Sequence, residues 1–145
     1  MSLLDPKLTM LALKVDKNLT RSQRIELADL VIEHIYERTN SGKDVSGKPF
    51  KAYTKEYVNS LTGQIGGKGK KVNLQLSGDM LASMALIKQE KGKIVIGFDS
   101  EDERAKAEGN ILGSYGQPHP NPDKARPFFG IKPEKLKELI AYVTD

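Results

Sequence analysis

Two histidines are the residues of this chain most suited to acid–base or metal chemistry, and the sequence does not bring them together. His34 falls in a stretch of helical periodicity and His119 in a proline-rich stretch. Without cysteine, this isolated pair does not make a zinc site. Two histidines also give no specific Ser-His-Asp set. We therefore expect a non-enzymatic protein without metal or cofactor, and keep a hydrolytic enzyme of unrecognised type as the weakest alternative.

An acidic run and a glycine-rich stretch could also hold a ligand. The run is Asp99, Glu101, Asp102 and Glu103, which could bind a hard cation. A solvated helix start explains it better, because acidic side chains favour the positive end of a helix dipole. The glycine-rich stretch GQIGGKGKK does not match the phosphate-loop spacing GxxxxGK[ST], and no strong strand precedes it.

The basic segment 41–71 has two interpretations. It carries a net charge of +5, against +4 for the whole chain. It could face DNA, because clustered lysines supply salt-dependent affinity for phosphate, or it could be a solvated loop. The lysines that would face DNA are Lys43, Lys48, Lys51, Lys55, Lys68, Lys70 and Lys71. The segment contains no arginine, and only Phe50, Tyr53 and Tyr57 could stack on a base.

The stretch Val72–Phe98 has the densest β signal and should build the core. Alternation of Leu74 and Leu76 with polar residues predicts a first strand. The following elements should be a short helix over Asp79–Met84, strands over Ala85–Gln89 and Lys93–Phe98, and a tight turn in which Gly92 takes a positive φ. Ile94, Ile96 and Phe98 share one strand face, with Val95 opposite, so we expect this strand to be covered on both sides.

The clearest helix is predicted over Arg21–Thr39. Thr20 and Gln23 form a capping box before it, and the Asn40–Gly42 segment should end it with a left-handed residue. Its apolar stripe is Ile25, Ala28, Val31, Ile32 and Ile35. Its charged residues, Arg38 among them, are expected to face solvent.

Two further helices and a weaker strand complete the prediction. Pro133–Val143 should be a helix with proline at its first position. Ser100–Glu108 should be a helix with a Ser100–Glu103 capping box, stopped by Gly109. Leu8–Val15 fits a strand, although a helix is an open alternative. Residues 1–7 are expected to be frayed, and residues 60–71 and 109–125 to be flexible loops.

These elements predict one α+β domain over residues 1–145, in which an N-terminal and a C-terminal helix pack on an antiparallel sheet built around residues 72–98. The chain is 38% hydrophobic. No apolar run approaches the roughly 18–20 residues that span a bilayer, so we expect no membrane partner. We expect no secretory signal, and the absence of cysteine fits a cytosolic origin.

The order of several short motifs resembles the virion-morphogenesis family of tailed bacteriophages, over about residues 20–143. The motifs stand at Gly47–Phe50 (GKPF), Leu74–Ser83 (LQLSGDMLAS), Val95–Phe98 (VIGF), Ala105–Gly109 (AKAEG) and Arg126–Gly130 (RPFFG). Two positions depart from the family pattern. This chain has Lys106-Ala107 where the family often has Tyr-Ala, and a proline precedes Phe50 in the early turn.

The resemblance implies a structural neck or tail-completion protein of a phage or prophage virion, assembled in the bacterial cytoplasm. It implies a homo-oligomeric ring, for which it allows a hexamer, with other neck or tail proteins and packaged DNA as partners. Contacts between subunits are expected at Tyr115, His119, Arg126, Phe128 and Phe129. A plain core anchor under the last helix is an equal alternative for the RPFF residues. A basic nucleic-acid-binding module is the alternative function.

Overall fold

A computed structural model describes residues 8–50, 78–112 and 125–145 of the chain. The described residues form a mixed α and β fold with a three-stranded antiparallel sheet, as the sequence predicts. The elements are β1 (Leu11–Lys14), α1 (Arg21–Asn40), α2 (Gly78–Ala82), β2 (Met84–Glu90), β3 (Lys93–Phe98), α3 (Glu101–Leu112) and α4 (Pro133–Thr144). The predicted strand around Leu74, the loop 60–71 and the frayed residues 1–7 lie outside the described ranges.

Strand β3 is the centre of the sheet, whose order is β1-β3-β2. It has the predicted bounds, and both of its neighbours run antiparallel to it. Ile94 and Ile96 are fully buried on one face, and Val95 is buried on the other. The prediction of a strand covered on both sides is therefore confirmed. The open choice between strand and helix for residues 8–15 is settled as a strand, which is shorter than predicted: only Leu11–Lys14 pairs with β3.

The hairpin between β2 and β3 is tight and contains one irregularity. Glu90 pairs with Lys93, and Gly92 has a φ of +80°, as the turn prediction requires. The pairing shifts between Leu86 and Lys88, which leaves Ile87 as an extra residue in β2. A Cβ at Gly97 would lie 2.8 Å from Cγ1 of Ile87, so the glycine of the VIGF motif makes room for this bulge.

Helix α1 begins and ends with the local signals that the sequence predicts. The Thr20 hydroxyl accepts from the Gln23 amide at 3.1 Å, and the Gln23 side chain accepts from the Thr20 amide at 2.8 Å. At the other end Gly42 has a φ of +87°. The Gly42 amide donates to the Thr39 carbonyl and the Lys43 amide to the Arg38 carbonyl, which makes a Schellman motif.

The buried face of α1 is rotated relative to the predicted stripe. Leu27 is fully buried although the stripe did not include it, whereas Ile25 and Ile32 are only half-buried. The reason is that α1 contacts α4 as well as the sheet. The second contact surface moves the most deeply buried residues away from the stripe that a single apolar face predicts.

Helix α4 belongs to the same hydrophobic core as the sheet and the N-terminal helix, as predicted. It packs mainly against α1. The Gln23 side-chain amide donates to the carbonyl of Val143 at 3.3 Å, and the Val143 side chain is buried. Leu136, Leu139 and Ile140 are half-buried. The layers of the fold thus follow the order sheet, α1, α4. None of the helices in the described ranges has the length and apolar character needed to cross a membrane.

Helix α3 corrects two sequence predictions. It continues to Leu112, and Gly109 lies buried inside it instead of ending it, so the first residues of the predicted loop 109–125 are helical. Packing of this face against α2 and β3 offsets the cost of a helical glycine, about 1 kcal/mol. The capping box is only half formed: the Ser100 hydroxyl accepts from the Glu103 amide at 3.4 Å, but the Glu103 carboxylate pairs with Lys106 at 2.6 Å.

Helix α2 is shorter than predicted. It ends at Ala82, and Met84 already belongs to β2, which runs one residue further at each end than the predicted strand. The amide of Asp99 donates to the carbonyl of Ser83, so the single residue between α2 and β2 is fixed against the end of β3. The next residue, Met84, pairs with Phe98 in the sheet, so the helix ends before it.

Candidate interaction surface

The aromatic residues of the RPFFG motif meet the end of β3. Phe128 is 0% exposed, and its ring makes an edge contact with Phe98 at a centroid distance of 6.4 Å. Phe129 is half-buried, with its ring 4.9 Å from that of Phe98. In this conformation Phe128 is a core anchor of the single chain, and a neighbouring subunit could touch Phe129 but not Phe128.

The other predicted intersubunit residues divide into two groups. Arg126 is buried, and its backbone amide donates to the carbonyl of Asn110 at 2.7 Å, which fixes this segment against the end of α3. Tyr115 and His119 lie outside the described residues. Burial of Arg126 and Phe128 thus favours the core-anchor interpretation for these two side chains.

Residues 43–50, which we call the Asp44 turn, contain the GKPF motif and are held by one carboxylate oxygen. Oδ1 of Asp44 accepts from the Ser46 amide at 2.9 Å, from the Ser46 hydroxyl at 2.8 Å and from the Lys48 amide at 3.0 Å. The Asp44 amide donates to the Lys48 carbonyl at 2.8 Å. Gly47, with a φ of +85°, supplies the left-handed residue. The turn is therefore defined by its own hydrogen bonds.

The Asp44 turn is joined to the RPFFG segment. The amide of Val45 donates to the carbonyl of Pro127 at 3.0 Å. A Cβ at Gly130 would lie 3.1 Å from Cγ2 of Val45, so the glycine allows a close approach of the two segments. Two motifs about 80 positions apart in the chain thus form one structural unit, and sequence spacing alone did not indicate this contact.

Arg38 fixes this unit to α1 and corrects the expectation that its side chain faces solvent. Its guanidinium donates to the carbonyl of Gly130 at 2.9 Å and also to the carbonyl of Phe128. Burial lowers the pKa of Arg38, while the charge of Asp44 opposes that shift. The group remains charged, because an arginine pKa lies far above neutrality. The planar guanidinium carries several N–H donors, so it can bind two carbonyls of the same segment at once.

The structure describes two of the seven lysines that were predicted to face DNA. Lys43 and Lys48 are exposed on the Asp44 turn, whereas Lys51, Lys55, Lys68, Lys70 and Lys71 lie outside the described residues. Sequence reasoning missed Lys132, which is exposed just before α4 with its ammonium 3.8 Å from the position of a Gly47 Cβ. Phe50 is buried in the core and cannot stack on a base, and Tyr53 and Tyr57 are not described.

The residues singled out for catalysis or metal binding do not form a site in the described ranges. Those ranges contain no group of three or more histidine or acidic side chains arranged to hold a metal. Within the acidic run Glu103 is buried and paired with Lys106, contrary to the expectation of a solvated helix start, while Asp99, Glu101 and Asp102 are exposed. The hydrogen bond and charge of Glu103 raise the pKa of Lys106.

His34 lies on α1, where its side chain is half-buried, and it is close enough to Lys135 and Glu138 of α4 to feel their charges. Burial lowers the pKa of its imidazole, and the positive charges of Arg38 and Lys135 lower it further. Glu37 and Glu138 oppose this shift. A lowered pKa in the folded state means that protonation favours the unfolded chain.

We expect stability to decrease slightly as the pH falls from the ordinary histidine pKa of 6.5 toward the lower pKa of folded His34. The loss should be roughly 0.5 kcal/mol or less, because the ring is still partly solvated. Chemical unfolding at several pH values measures it. His34→Gln should reduce the slope in this range and His119→Gln serves as the matched control. An unchanged slope in His34→Gln would contradict the assignment.

Comparison of the chain with protein-family models, curated proteins and solved structures gave no match. The resemblance to the virion-morphogenesis family therefore stays a prediction from the sequence motifs.

Proposed function

We propose that this chain is a structural subunit of a tailed-phage or prophage virion, acting at the head–tail junction or the tail end as a neck or tail-completion protein. In this proposal it forms a homo-oligomeric ring, contacts other neck or tail proteins, and assembles in the cytoplasm of a bacterial host. It has no catalytic role.

The observation that carries the proposal is the contact between motifs that are distant in sequence. GKPF lies in the Asp44 turn, VIGF ends β3, and RPFFG touches both through the Val45–Pro127 hydrogen bond and the Phe98 contacts. Each motif is weak as a signature by itself. Motifs that belong to one fold should pack together, and these three do, which is the support that the structure gives to the proposal.

The surface offers different apolar groups for head-to-tail contacts. A ring requires two unlike patches on each subunit. On the sheet side, Met10 is 40% and Ile87 46% exposed. On the helices, Tyr142 of α4 is 67% exposed. Single exposed apolar side chains are common, so these residues support a ring only together with the motif evidence.

Light scattering and electron microscopy of the purified chain test the proposal. We expect one discrete oligomer that appears as a ring. Ile87→Ser and Tyr142→Ser each remove an apolar group from one side, and at least one of them should shift the protein toward monomer while the circular dichroism spectrum is retained. Lys91→Ser, an exposed change in the hairpin turn, serves as the control. A wild-type chain that stays monomeric at high concentration, with no ring in the presence of lysate from phage-producing cells, contradicts the proposal.

A basic nucleic-acid-binding module remains the second candidate because of the exposed lysines on the Asp44 turn. Such a module would bind nucleic acid as a monomer. Salt-sensitive DNA binding by a chain that forms no oligomer would favour it over the ring.

A further inference from the structure

A positively charged surface forms where the Asp44 turn meets the start of α4. Lys43, Lys48 and Lys132 are all exposed there. The ammonium of Lys132 lies 3.8 Å from the Cβ position of Gly47, at the tip of the turn. Among the described residues, none of these three lysines has a carboxylate partner within ion-pair distance. We call this set the three-lysine surface.

We propose that the three-lysine surface binds the phosphate backbone of duplex DNA without reading its sequence, and that Lys132 is one of the contacts. The biological setting of this binding, packaged DNA that passes through a virion ring, rests on the proposed function. The binding itself depends only on the three lysines, so it can be tested separately.

The backbone that carries these lysines is held in place before any ligand binds. Three hydrogen bonds to Asp44 Oδ1 define the turn, and the bond from Val45 to Pro127 attaches it to the core. Gly42 and Phe50 close its base through a backbone hydrogen bond of 3.0 Å. A surface whose backbone is already ordered loses less conformational entropy on binding.

The charges around the surface leave a positive excess. Asp44 and Glu134 are the acidic residues of the turn and of the first turn of α4. One oxygen of the Asp44 carboxylate already accepts three hydrogen bonds within the turn, which partly offset its negative charge. The three lysines thus outnumber the acids and extend into solvent.

The side-chain types favour a duplex over a single strand. Binding of single strands relies on aromatic side chains that stack on bases, and Phe50, the one aromatic residue of the Asp44 turn, is buried. Lysines act on phosphate as point charges, without the two-pronged geometry of arginine that reads guanine. The expected binding is therefore electrostatic and independent of sequence.

The opposite end of α1 provides a matched control surface. Lys14, Lys17 and Lys91 are exposed near the hairpin turn, on the side of the molecule where Arg24 contacts Leu19 and Gln89. The Asp44 turn follows the other end of the same helix. A helix of 20 residues separates the two groups by about 30 Å.

The experiment compares two triple variants with the wild-type chain. One is Lys43→Gln/Lys48→Gln/Lys132→Gln, and the control is Lys14→Gln/Lys17→Gln/Lys91→Gln, with the same change in net charge. Fluorescence anisotropy measures binding to a labelled mixed-sequence duplex over a range of salt concentrations. The first variant should lose at least about tenfold in affinity at low salt, and its slope of log K against log salt should fall by about 3. The control should lose much less.

Several outcomes would overturn the proposal. They are an absence of duplex binding by the wild-type chain at low salt, an equal loss in both variants, or tighter binding of a polyglutamate peptide than of the duplex. Circular dichroism and light scattering show whether the variants keep their fold and oligomeric state, and exposed Lys→Gln changes should preserve both. If the wild-type chain forms no ring but the first variant alone loses DNA, the ring proposal fails and the three-lysine surface stands.

Discussion

Replacement of Phe128 by alanine should lower the free energy of unfolding by about 3–5 kcal/mol. The ring is 0% exposed and packs against the rings of both Phe98 and Phe129, so its removal leaves a cavity under the RPFFG segment. Denaturant unfolding followed by circular dichroism measures the change. Phe129→Ala is the control, and it should cost less because that ring is only half-buried.

A double-mutant cycle makes this prediction specific to the contact with β3. Phe98→Ala should itself cost about 3–5 kcal/mol, because Phe98 is nearly fully buried. The two changes together should be non-additive by about 0.5–1.5 kcal/mol, the range of an aromatic pair in contact. A loss below about 1 kcal/mol in Phe128→Ala would remove this residue from the core.

Replacement of Arg38 by methionine should lower the free energy of unfolding by about 2–3 kcal/mol. The change keeps most of the apolar stem but removes the hydrogen bonds to the carbonyls of Phe128 and Gly130. Hydrogen bonds from a charged donor contribute about 1.5–3 kcal/mol each, and relaxation of the segment offsets part of this loss. Arg21→Met, at an exposed position of the same helix, should stay within about 0.5 kcal/mol of wild type.

Hydrogen exchange distinguishes this role of Arg38 from a general loss of stability. The amide of Val45 donates to Pro127, the residue before Phe128, so loosening of the RPFFG segment should expose it. We expect faster exchange at Val45 in Arg38→Met, with β3 amides changing only as global stability changes. Arg38→Lys should recover only part of the protection. A lysine keeps the positive charge, but its single ammonium cannot bind both carbonyls as the guanidinium does. Full protection at Val45 in the methionine variant would contradict the role.

The features that sequence could predict are those that depend on neighbouring residues. The Thr20–Gln23 capping box, the Gly42 helix end and the Gly92 turn all act within a few positions, and each is present in the structure. The bounds of β3 follow from one unbroken apolar run between a turn and Asp99. Local chemistry decides such features because no distant partner competes for the same backbone groups.

The features that sequence could not predict depend on distant contacts. Gly109 fits a helix stop by its type, but packing of α3 on α2 and β3 continues the helix past it. Helical spacing predicts that Arg38 faces solvent. In the structure its side chain binds the carbonyls of Phe128 and Gly130, which lie 90 and 92 positions later in the chain. Lys132 stands far from the basic segment in the chain, and only the fold brings it to Gly47.

The bulge at Ile87 determines how copies of this fold can meet. Strand addition to a sheet needs an edge with a regular row of free amides and carbonyls. In the described sheet β2 is one edge, and its extra residue breaks that row, while β1, the other edge, has only four residues. Backbone pairing between copies is thus disfavoured at both edges of the described sheet, and copies that associate would be held by side chains. The same irregularity that seats Ile87 over Gly97 therefore makes open-ended fibre growth through the β2 edge less favourable.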